Sequence, residues 1–385
     1  MNKLCVTLPP FSPDYSGVCS ALFELNCLCV IHDASGCTGN YVGYDEPRWY
    51  GSRAKVFCSG LREMDAVLGL DEKLIAKVVA AGRDLSPDFV AILGSPVPMV
   101  IGTDMGGIAH EIQTELGIPA FGFNCTGLRF YSRGVAEALC SLIDRFTPAE
   151  QKHETGDTLN VIGLTPLDFS SNANAEDICA FLARNGFQVT ARFSMGITME
   201  QVRKAATADV NLVVSESGLK PAQLLREKFG IPYVVGTPVA NDVDLVDELR
   251  AAAIDGVNRT IRDESGEGGV LVVADQVLGN SLRRSILKKN PDASVCVGTM
   301  FGLNEEISAG QDLDIENERS LLRILRGHRF SKLVADPMIC ELVEPDDGIE
   351  THPLPHVAIS SKAHWDRYPL FTGDEMERFV DDLAK

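Results

Sequence analysis

Asp88-Phe89-Val90-Ala91-Ile92-Leu93-Gly94 is a continuous apolar run, which is typical of a strand that is covered on both faces of its sheet. The residues that follow predict a helix over 104–116, which ends at Gly117 with Pro119 just beyond it. The stretch 120–123 then reads as a second strand. Strand, helix and strand in this order form the βαβ unit from which parallel sheets are built.

The same unit is written again further along the chain. A strand over 209–214 and a helix over 220–229 lead to Gly230-Ile231-Pro232 and another strand. Further strands are predicted at 159–163, 187–191, 270–274, 294–298 and 332–335, with helices between them. The pattern predicts an α/β fold of three Rossmann-like domains with parallel sheets, over 1–155, 156–265 and 266–385. Ligands of such sheets bind at the carboxyl ends of strands, here after Gly94, Gly163, Val214, Ala274 and Gly298.

Composition narrows the class of protein. The formal net charge of −19 over 385 residues argues against nucleic acid as a partner, because a phosphate backbone requires a basic surface. No apolar run reaches the roughly 20 residues that a membrane helix needs, and the first ten residues do not form a secretory signal. We therefore expect a cytoplasmic protein without a membrane partner. The dinucleotide-binding motif Gly-x-Gly-x-x-Gly does not follow the first strand of any predicted domain, and the P-loop motif Gly-x-x-x-x-Gly-Lys-Ser/Thr does not occur. We therefore expect no nucleotide to be bound by this chain.

The eleven cysteines carry the strongest chemical signal. An odd count without a secretory signal disfavours a disulfide framework, and no Cys-x-x-Cys occurs, so a zinc ribbon is excluded. Cys37 follows Gly36 on a small-residue loop, where the backbone can approach an inorganic cluster closely. Cys19 and Cys37 are the first candidates for cluster ligands. Cys27 and Cys29 are predicted to share one buried face of a strand.

The number of thiolate ligands that a cluster needs then implies a dimer. A [4Fe–4S] cluster needs about four thiolates, and two per chain would supply them around a two-fold axis. Cys58 and Cys125 are reserve ligands, for which burial and ligation stay equally open. His32 is placed either to bond the backbone or to orient a nearby cluster. His356 lies in a loop where it would bind substrate or stay solvated, and solvation is favoured.

These residues resemble a known family. His32-Asp33-Ala34-Ser35-Gly36-Cys37 is similar to the His-Gly-Pro-x-Gly-Cys loop of nitrogenase component 1 subunits and their relatives. The stretch 58–69 resembles the family's Ser/Thr-Asp-Leu-x-Glu-x-Asp-x-Val-x-Gly segment, and 98–104 its Pro-x-x-Ile-Gly-Asp-Asp turn. The order and spacing of these motifs are together specific, and the resemblance covers most of the chain.

The resemblance implies three-domain subunits that work in pairs, with an iron–sulfur cluster between them and a substrate cavity among the domains. It also implies an ATP-hydrolysing iron protein that donates electrons. The first two cluster cysteines carry over to Cys19 and Cys37, but Pro96 stands where a third is expected, which favours a four-iron cluster. The cysteine that anchors the iron–molybdenum cofactor would fall near Ser215. From the residues alone, we interpret Ser215 or Ser217 as a helix cap. We therefore expect that this subunit does not reduce dinitrogen.

Three hypotheses stay open from the sequence. The first is a nitrogenase-like reductase subunit, a homodimer or paired with a related subunit, whose substrate is a tetrapyrrole or a small organic molecule. The second is a non-catalytic scaffold for metallocofactor assembly or delivery. The third is a small-molecule-binding α/β protein without a cluster. The sequence identifies no catalytic acid with certainty, although His356 and His32 are candidates.

Overall fold

The computed structural model describes residues 6–149, 157–327 and 329–385, and three parallel sheets organise them into an α/β fold, as predicted. The first sheet has the strand order β2-β1-β3-β4. Its strands are β1 (Cys27–Ile31), β2 (Lys55–Cys58), β3 (Phe89–Leu93) and β4 (Ala120–Phe123). Its helices are α1 (Asp14–Leu22), α2 (Gly36–Asn40), α3 (Glu63–Leu68), α4 (Asp71–Leu85), α5 (Pro96–Ile101), α6 (Met105–Leu116) and α7 (Tyr131–Phe146).

The middle sheet has the order β6-β5-β7-β8-β9. Its strands are β5 (Thr158–Leu164), β6 (Gln188–Ser194), β7 (Val210–Val213), β8 (Tyr233–Val235) and β9 (Arg259–Thr260). Its helices are α8 (Pro166–Phe169), α9 (Asn172–Arg184), α10 (Met199–Lys204), α11 (Leu219–Phe229) and α12 (Val243–Asp255). The helix predicted over 220–229 and the two strands beside it are thereby confirmed.

The third sheet has the order β12-β11-β10-β13-β14. Its strands are β10 (Gly269–Val273), β11 (Val295–Thr299), β12 (Leu313–Asp314), β13 (Phe330–Ala335) and β14 (Glu350–Pro353). Its helices are α13 (Gln276–Lys289), α14 (Glu318–Leu325), α15 (Pro337–Cys340), α16 (Val357–Ser360) and α17 (Asp374–Leu383). The predicted boundary at 155/156 lies outside the described residues, and the one at 265/266 stays a prediction.

Helices α1 and α7 approach so closely that each needs a glycine at the contact. A Cβ on Gly17 would lie 2.0 Å from the carbonyl oxygen of Tyr131, and one on Gly134 would lie 1.9 Å from that of Asp14. Only glycine allows two backbones to come this near. The contact fixes the amino end of α7, where Tyr131 stands.

Both ends of the described chain bind distant parts of the fold. The carboxylate of Glu318 accepts hydrogen bonds from the backbone amides of Val6, Thr7 and Leu8, so the first described residues lie against the third sheet's helix α14. Near the other end, Tyr368 donates to the backbone oxygen of Asp168. Segments that flank the third sheet therefore contact residues 6–8 and helix α8 of the middle sheet.

Candidate functional site

The Cys37 loop, residues 32–35, begins where β1 ends and leads into the short helix α2. Cys37 lies in the first turn of α2, which corrects the expectation that Cys37 itself lies on a loop. The amide of His32 donates to the carbonyl of Leu93, and the hydroxyl of Ser95 donates to the carbonyl of His32, so two neighbouring strand ends fix the loop's start. The Asp33 carboxylate then accepts the Cys37 amide at 2.8 Å. Cys37 is half-buried, and the space around the exposed Gly36 is open, with no atom within 4 Å of a Cβ placed there. A bulky inorganic group can reach the backbone at this point.

Cys58 stands on the other side of Asp33. It ends β2, which pairs with β1, and its thiol donates to the carbonyl of Asp33 with an Sγ–O distance of 3.1 Å. The sulfur also accepts the amide of Gly60 at 3.3 Å, and the residue is half-buried. The structure thus brings Cys37 and Cys58 to the same residue, and both thiols are partly open to solvent.

Cys19 and Cys125 occupy a different environment. Each is 1% exposed, and the Cys19 sulfur lies 3.5 Å from that of Cys29 inside the core. Cys27 and Cys29, each 3% exposed, lie on β1 as predicted. Burial raises the pKa of the Cys19 and Cys125 thiols well above their ordinary value. The environment of these two residues is that of small core side chains.

Burial also raises the pKa of the Cys37 thiol, and the charge of Asp33 adds to this effect. Hydrogen bonds from Tyr15 and Ser95 oppose the rise without cancelling it. The free thiol is therefore protonated at neutral pH, and a metal that binds it must displace the proton.

His32 lies beside the loop but has its own partners. Its Nδ1 is 2.8 Å from the hydroxyl of Ser59, and burial lowers its pKa, which keeps the ring neutral. The ring borders a cavity of about 20 Å³ together with Asp71, Lys77 and Ile101, which is room for about one water. The hydrogen-bond partner of the His32 ring is therefore Ser59, the residue that follows Cys58.

An exposed apolar surface surrounds this loop. The apolar rim, as we name it, consists of side chains that are 43–78% exposed: Val67 and Leu68 on α3, Val100 and Ile101 on α5, and Leu128. Ile101 borders the His32 cavity, and Gly127, the neighbour of Leu128, packs against Pro96 at the start of α5, so α5 links these parts of the rim. Monomeric proteins rarely leave contiguous apolar patches of this kind in water.

Ser215 does not cap a helix, so that interpretation is wrong. It stands before the 3₁₀ turn Glu216–Gly218, but its side chain makes no cap hydrogen bond. The hydroxyl instead donates to the carbonyl of Gly163 and lies 2.7 Å from the hydroxyl of Ser217, and the residue is fully buried. Its place is at the packing of β5 against β7, and its role in binding a cofactor stays a prediction.

His356 lies where the carboxyl ends of the three sheets meet, and it is buried, which corrects the expectation that it is solvated. Its Nε2 is 3.2 Å from the carboxylate of Asp168 and 3.2 Å from the hydroxyl of Tyr131. The sequence indicates the loops after Gly163 and Ala274 as cleft positions, but it does not single out Tyr131 or Asp168. The only sequence feature that Tyr131 and Asp168 share is a position in the connection that follows a predicted strand. Many other residues of the chain have such a position.

Within the residues that the structure describes, no three His, Cys, Asp or Glu side chains are arranged to hold a metal ion. A cluster on Cys37 and Cys58 would therefore need ligands beyond those that the described residues bring together. Among the same residues, no helix is long and apolar enough to cross a membrane.

Comparison with known proteins places this geometry in context. Residues 15–266 match the family "Nitrogenase component 1 type Oxidoreductase". The chain is 24% identical over 215 residues to the nitrogenase molybdenum-iron protein alpha chain of Clostridium pasteurianum. It is 23% identical over 179 residues to the nitrogenase iron-molybdenum cofactor biosynthesis protein NifE of the same organism. It is also 23% identical over 180 residues to a subunit of the light-independent protochlorophyllide reductase of Nostoc punctiforme.

These matches cover 54%, 46% and 44% of this chain, in the same order. They span 36%, 38% and 35% of the relatives, so the chain matches about a third of their length. Among solved structures, one described as "Nitrogenase Cp1 at pH 6.5" superposes with a TM-score of 0.68 at 16% identity. That superposition covers 100% of this chain and 90% of the other, which is a likeness of fold.

Proposed function

Because this chain belongs to the nitrogenase component 1 type oxidoreductases, we propose that it is a nitrogenase-like reductase subunit with an iron–sulfur cluster at a subunit interface. The observation that carries the proposal is the pair of half-buried cysteines, Cys37 and Cys58, which both contact Asp33, Cys37 through its amide and Cys58 through its thiol. Thiolates are the ligands that iron–sulfur clusters prefer. Two such thiols in each of two chains match the four ligands of a [4Fe–4S] cluster.

The residues of this chain have distinct tasks in the proposed site. Cys37 and Cys58 would hold the cluster, which supplies one-electron transfer at low potential when it is bound. Asp33 sets the direction of both cysteines through its side chain and its carbonyl. Ser59 binds His32 on the inner side, and the half-burial of both thiols limits access of water. Cys19 and Cys125, the other proposed ligands, would contribute only after a rearrangement of the core.

The apolar rim supports a second subunit as the neighbour of this site. Val100 on α5 is 78% exposed, and Leu128, between β4 and α7, is 77% exposed. Covering them removes apolar surface from water at about 25 cal/mol per Å². A second copy of this chain or a related subunit would thereby enclose the cluster and supply the missing thiolates.

The electron donor and the substrate follow from the reductase proposal. We propose an ATP-dependent iron-protein reductase as the partner, since this chain carries no phosphate-binding motif of its own. A relative named protochlorophyllide reductase supports a tetrapyrrole as one class of substrate. A small organic molecule is the other class. The protein would be cytoplasmic, where such a reductant and ATP are present.

A scaffold for metallocofactor assembly is the second candidate function. It is supported by the similarity to NifE proteins of Clostridium pasteurianum and Rhodobacter capsulatus, whose names describe cofactor biosynthesis. The two functions differ in what leaves the protein. A reductase keeps its cluster through many turnovers, whereas a scaffold gives up iron and sulfide to an acceptor protein.

Anaerobic cluster reconstitution tests the ligand assignment. We expect the wild-type protein to bind about four iron atoms per dimer, and Cys37→Ala and Cys58→Ala each to lose the cluster absorbance while the α/β circular dichroism persists. Cys140→Ala is the matched control, because Cys140 is also half-buried but lies on α7. Cys19→Ala should keep its iron and lose about 1 to 2 kcal/mol of unfolding free energy. Wild-type iron content in Cys37→Ala would disprove the assignment.

A second measurement separates reductase from scaffold. The reconstituted protein is mixed with a nitrogenase-type iron protein, MgATP and dithionite, and protochlorophyllide is offered as the probe. Cluster oxidation and re-reduction without loss of iron support the reductase. Transfer of the iron to an apo-acceptor, with no electron transfer, supports the scaffold.

A further inference from the structure

The carboxyl ends of the three sheets converge on one buried region. Tyr131 opens α7 after β4, Asp168 lies in α8 after β5, and His356 follows β14. Other residues of the region also follow strand ends: Glu216 after β7, Asp275 after β10, Phe301 after β11 and Asp336 after β13. Because the sheets are parallel, every one of these positions lies at the edge where such folds bind ligands.

Three side chains from three domains form a hydrogen-bonded triangle there. The Tyr131 hydroxyl donates to Oδ1 of Asp168. The Nε2 of His356 is 3.2 Å from the same oxygen and 3.2 Å from the Tyr131 hydroxyl. The three residues are 1%, 4% and 5% exposed in the order Tyr131, Asp168 and His356. A phenol, a carboxylate and an imidazole thus share one acceptor atom in a place that excludes water.

The triangle is incomplete as a purely structural unit. Asp168 Oδ2 and His356 Nδ1 are both buried and have no hydrogen-bond partner among the described residues. Leaving a buried polar atom unpaired destabilises a fold. Such groups in a native fold call for an explanation beyond packing, of which a catalytic role is one.

The surroundings of the triangle favour the retention of protons. Asp275 and Glu216 both act electrostatically on Tyr131, and Asp336 accepts the amide of His356. Burial, reinforced by Asp168, raises the pKa of Asp275 well above its usual range. Burial likewise raises the pKa of Tyr131 and of Tyr368, whose hydroxyl donates to the Asp168 carbonyl. Burial thus favours the protonated forms of Asp275 and of the two tyrosines.

An open cleft lies directly beside this region. It has a volume of about 330 Å³ and is bordered by Arg133 of the first domain, by Glu216 and Lys220 of the middle domain, and by Phe301 and Leu303 of the third. The ring of Phe301 stands edge-on to Tyr131 at 5.3 Å and to His356 at 5.1 Å between ring centroids. The ring of Phe301 is therefore a wall that the cleft and the triangle share. Glu216 borders the cleft, and its backbone amide donates to the carboxylate of Asp275, whose charge acts on Tyr131.

We propose that Tyr131, Asp168 and His356 form the proton-donating group of a substrate site in this cleft, with Glu216 and Asp275 as its connection to solvent. The inference rests on the reductase function proposed above and names the acid that the sequence left unidentified. The volume of about 330 Å³ lies at the lower end of the roughly 300–1,000 Å³ of small-molecule pockets. It therefore fits a small organic molecule better than a tetrapyrrole.

Atoms and electrons balance in the proposed step. Reduction of one double bond in the substrate consumes two electrons and two protons, and two new bonds to hydrogen form as the π bond breaks. The electrons originate from the iron-protein reductase. Each proton leaves the triangle from the side of Phe301, and the triangle then regains a proton from water in the cleft through Glu216 and Asp275. A donor that cannot regain its proton would stop after one delivery.

Exchange of the shared proton with water tests this inference without a substrate. We expect a far-downfield proton resonance from the triangle in the reconstituted protein, lost in Tyr131→Phe. Tyr368→Phe is the matched control, because that buried tyrosine bonds the Asp168 carbonyl and not its carboxylate. Saturation transfer from water should show exchange at least as fast as a typical turnover of about 10 s⁻¹. Exchange over hours would show a closed structural contact and overturn the proposal.

The route through Glu216 has its own test. Glu216→Gln should slow the exchange at least tenfold, whereas Glu305→Gln, at the same cleft, should leave it unchanged. Equal rates in the wild type and both variants would overturn the route. Iron content is measured in every sample. Loss of the reductase function appears as absent iron, and failure of the proton group appears as slow exchange in a protein that holds its iron.

Discussion

At the scale of single residues, Asp33 organises the proposed cluster site. Its carboxylate accepts the Cys37 amide and its carbonyl accepts the Cys58 thiol, so one residue aligns both candidate ligands. The charge of Asp33 also opposes formation of the Cys37 thiolate, because it helps to raise the pKa of this thiol. The residue that positions the ligand therefore also delays its deprotonation until iron arrives.

Alkylation of the metal-free protein measures this effect. We expect the rate of Cys37 modification by iodoacetamide to rise with pH through a midpoint above the ordinary thiol value of 9.0, because burial and Asp33 disfavour the thiolate. Asp33→Asn retains an acceptor for the Cys37 amide and removes the charge, so its midpoint should lie lower. Mass spectrometry of the Cys37 peptide gives the rates. A midpoint unchanged by Asp33→Asn would assign the whole shift to burial.

The sequence identifies the right kind of residue at this scale but cannot rank its examples. The sequence does not distinguish Cys37 from Cys19 as a ligand. Only the fold shows that Cys37 is half-buried, whereas Cys19 is 1% exposed and contacts Cys29. The proton-donating triangle is even harder to predict from the sequence. Tyr131 and Asp168 are 37 positions apart, and Asp168 and His356 are 188 apart, so no local pattern joins them.

At the scale of elements, the repeated βαβ units are predictable because their strands are apolar and their helices end at glycine. Helix α1 is not predictable in this way, because all nine of its residues are buried. A helix without a solvent face shows no periodic alternation of polar and apolar residues. The segment 1–82 therefore looks irregular in sequence, although it contains α1, β1 and β2.

The contact between α1 and α7 yields a prediction of stability. Gly17→Ala would place a Cβ 2.0 Å from the Tyr131 carbonyl oxygen, so the helices must separate. We expect a loss of about 3 kcal/mol or more in the free energy of unfolding, measured by urea denaturation. Gly39→Ala is the control, since no atom lies within 4 Å of its Cβ position, and it should change stability by less than about 1 kcal/mol. Equal effects would contradict the close approach.

At the scale of the whole molecule, the first domain and the carboxyl-terminal segment meet at a buried acid. Asp45 accepts hydrogen bonds from Ser12, Ser16 and Ser361, and burial raises its pKa to about 6. The raised pKa means that folding takes up a proton. Its stabilising contribution is therefore fully present below the unfolded value of 3.8 and is lost as pH rises through 6.

Denaturation at two pH values tests this linkage. Between pH 5 and pH 7 the Asp45 carboxyl should cost the wild-type protein about 1 kcal/mol of unfolding free energy. Asp45→Asn cannot ionise, so the stability difference between the variant and the wild type should move in the variant's favour by that amount. A difference that is constant with pH would show that Asp45 titrates normally.

The apolar rim predicts how the subunits associate. Val100→Glu places a charge on a surface that is 78% exposed in the single chain and that we propose to be covered by a second subunit. We expect light scattering to show monomers for this variant and dimers for the wild type. Ile254→Glu serves as the control, because Ile254 is 87% exposed on α12 of the middle domain. Dimers that persist in Val100→Glu would place the interface elsewhere.

The attachment of residues 6–8 to Glu318 affects the order in which the protein can form during synthesis. The amide of Val6 and the carboxylate that accepts it are 312 positions apart, and Glu318 is 5% exposed once they meet. The ribosome must therefore add 312 residues after Val6 before this segment finds its binding place. Until then, Leu8 cannot enter the core of the third domain. Domains generally fold as they emerge, but here the earliest segment must wait for one of the latest.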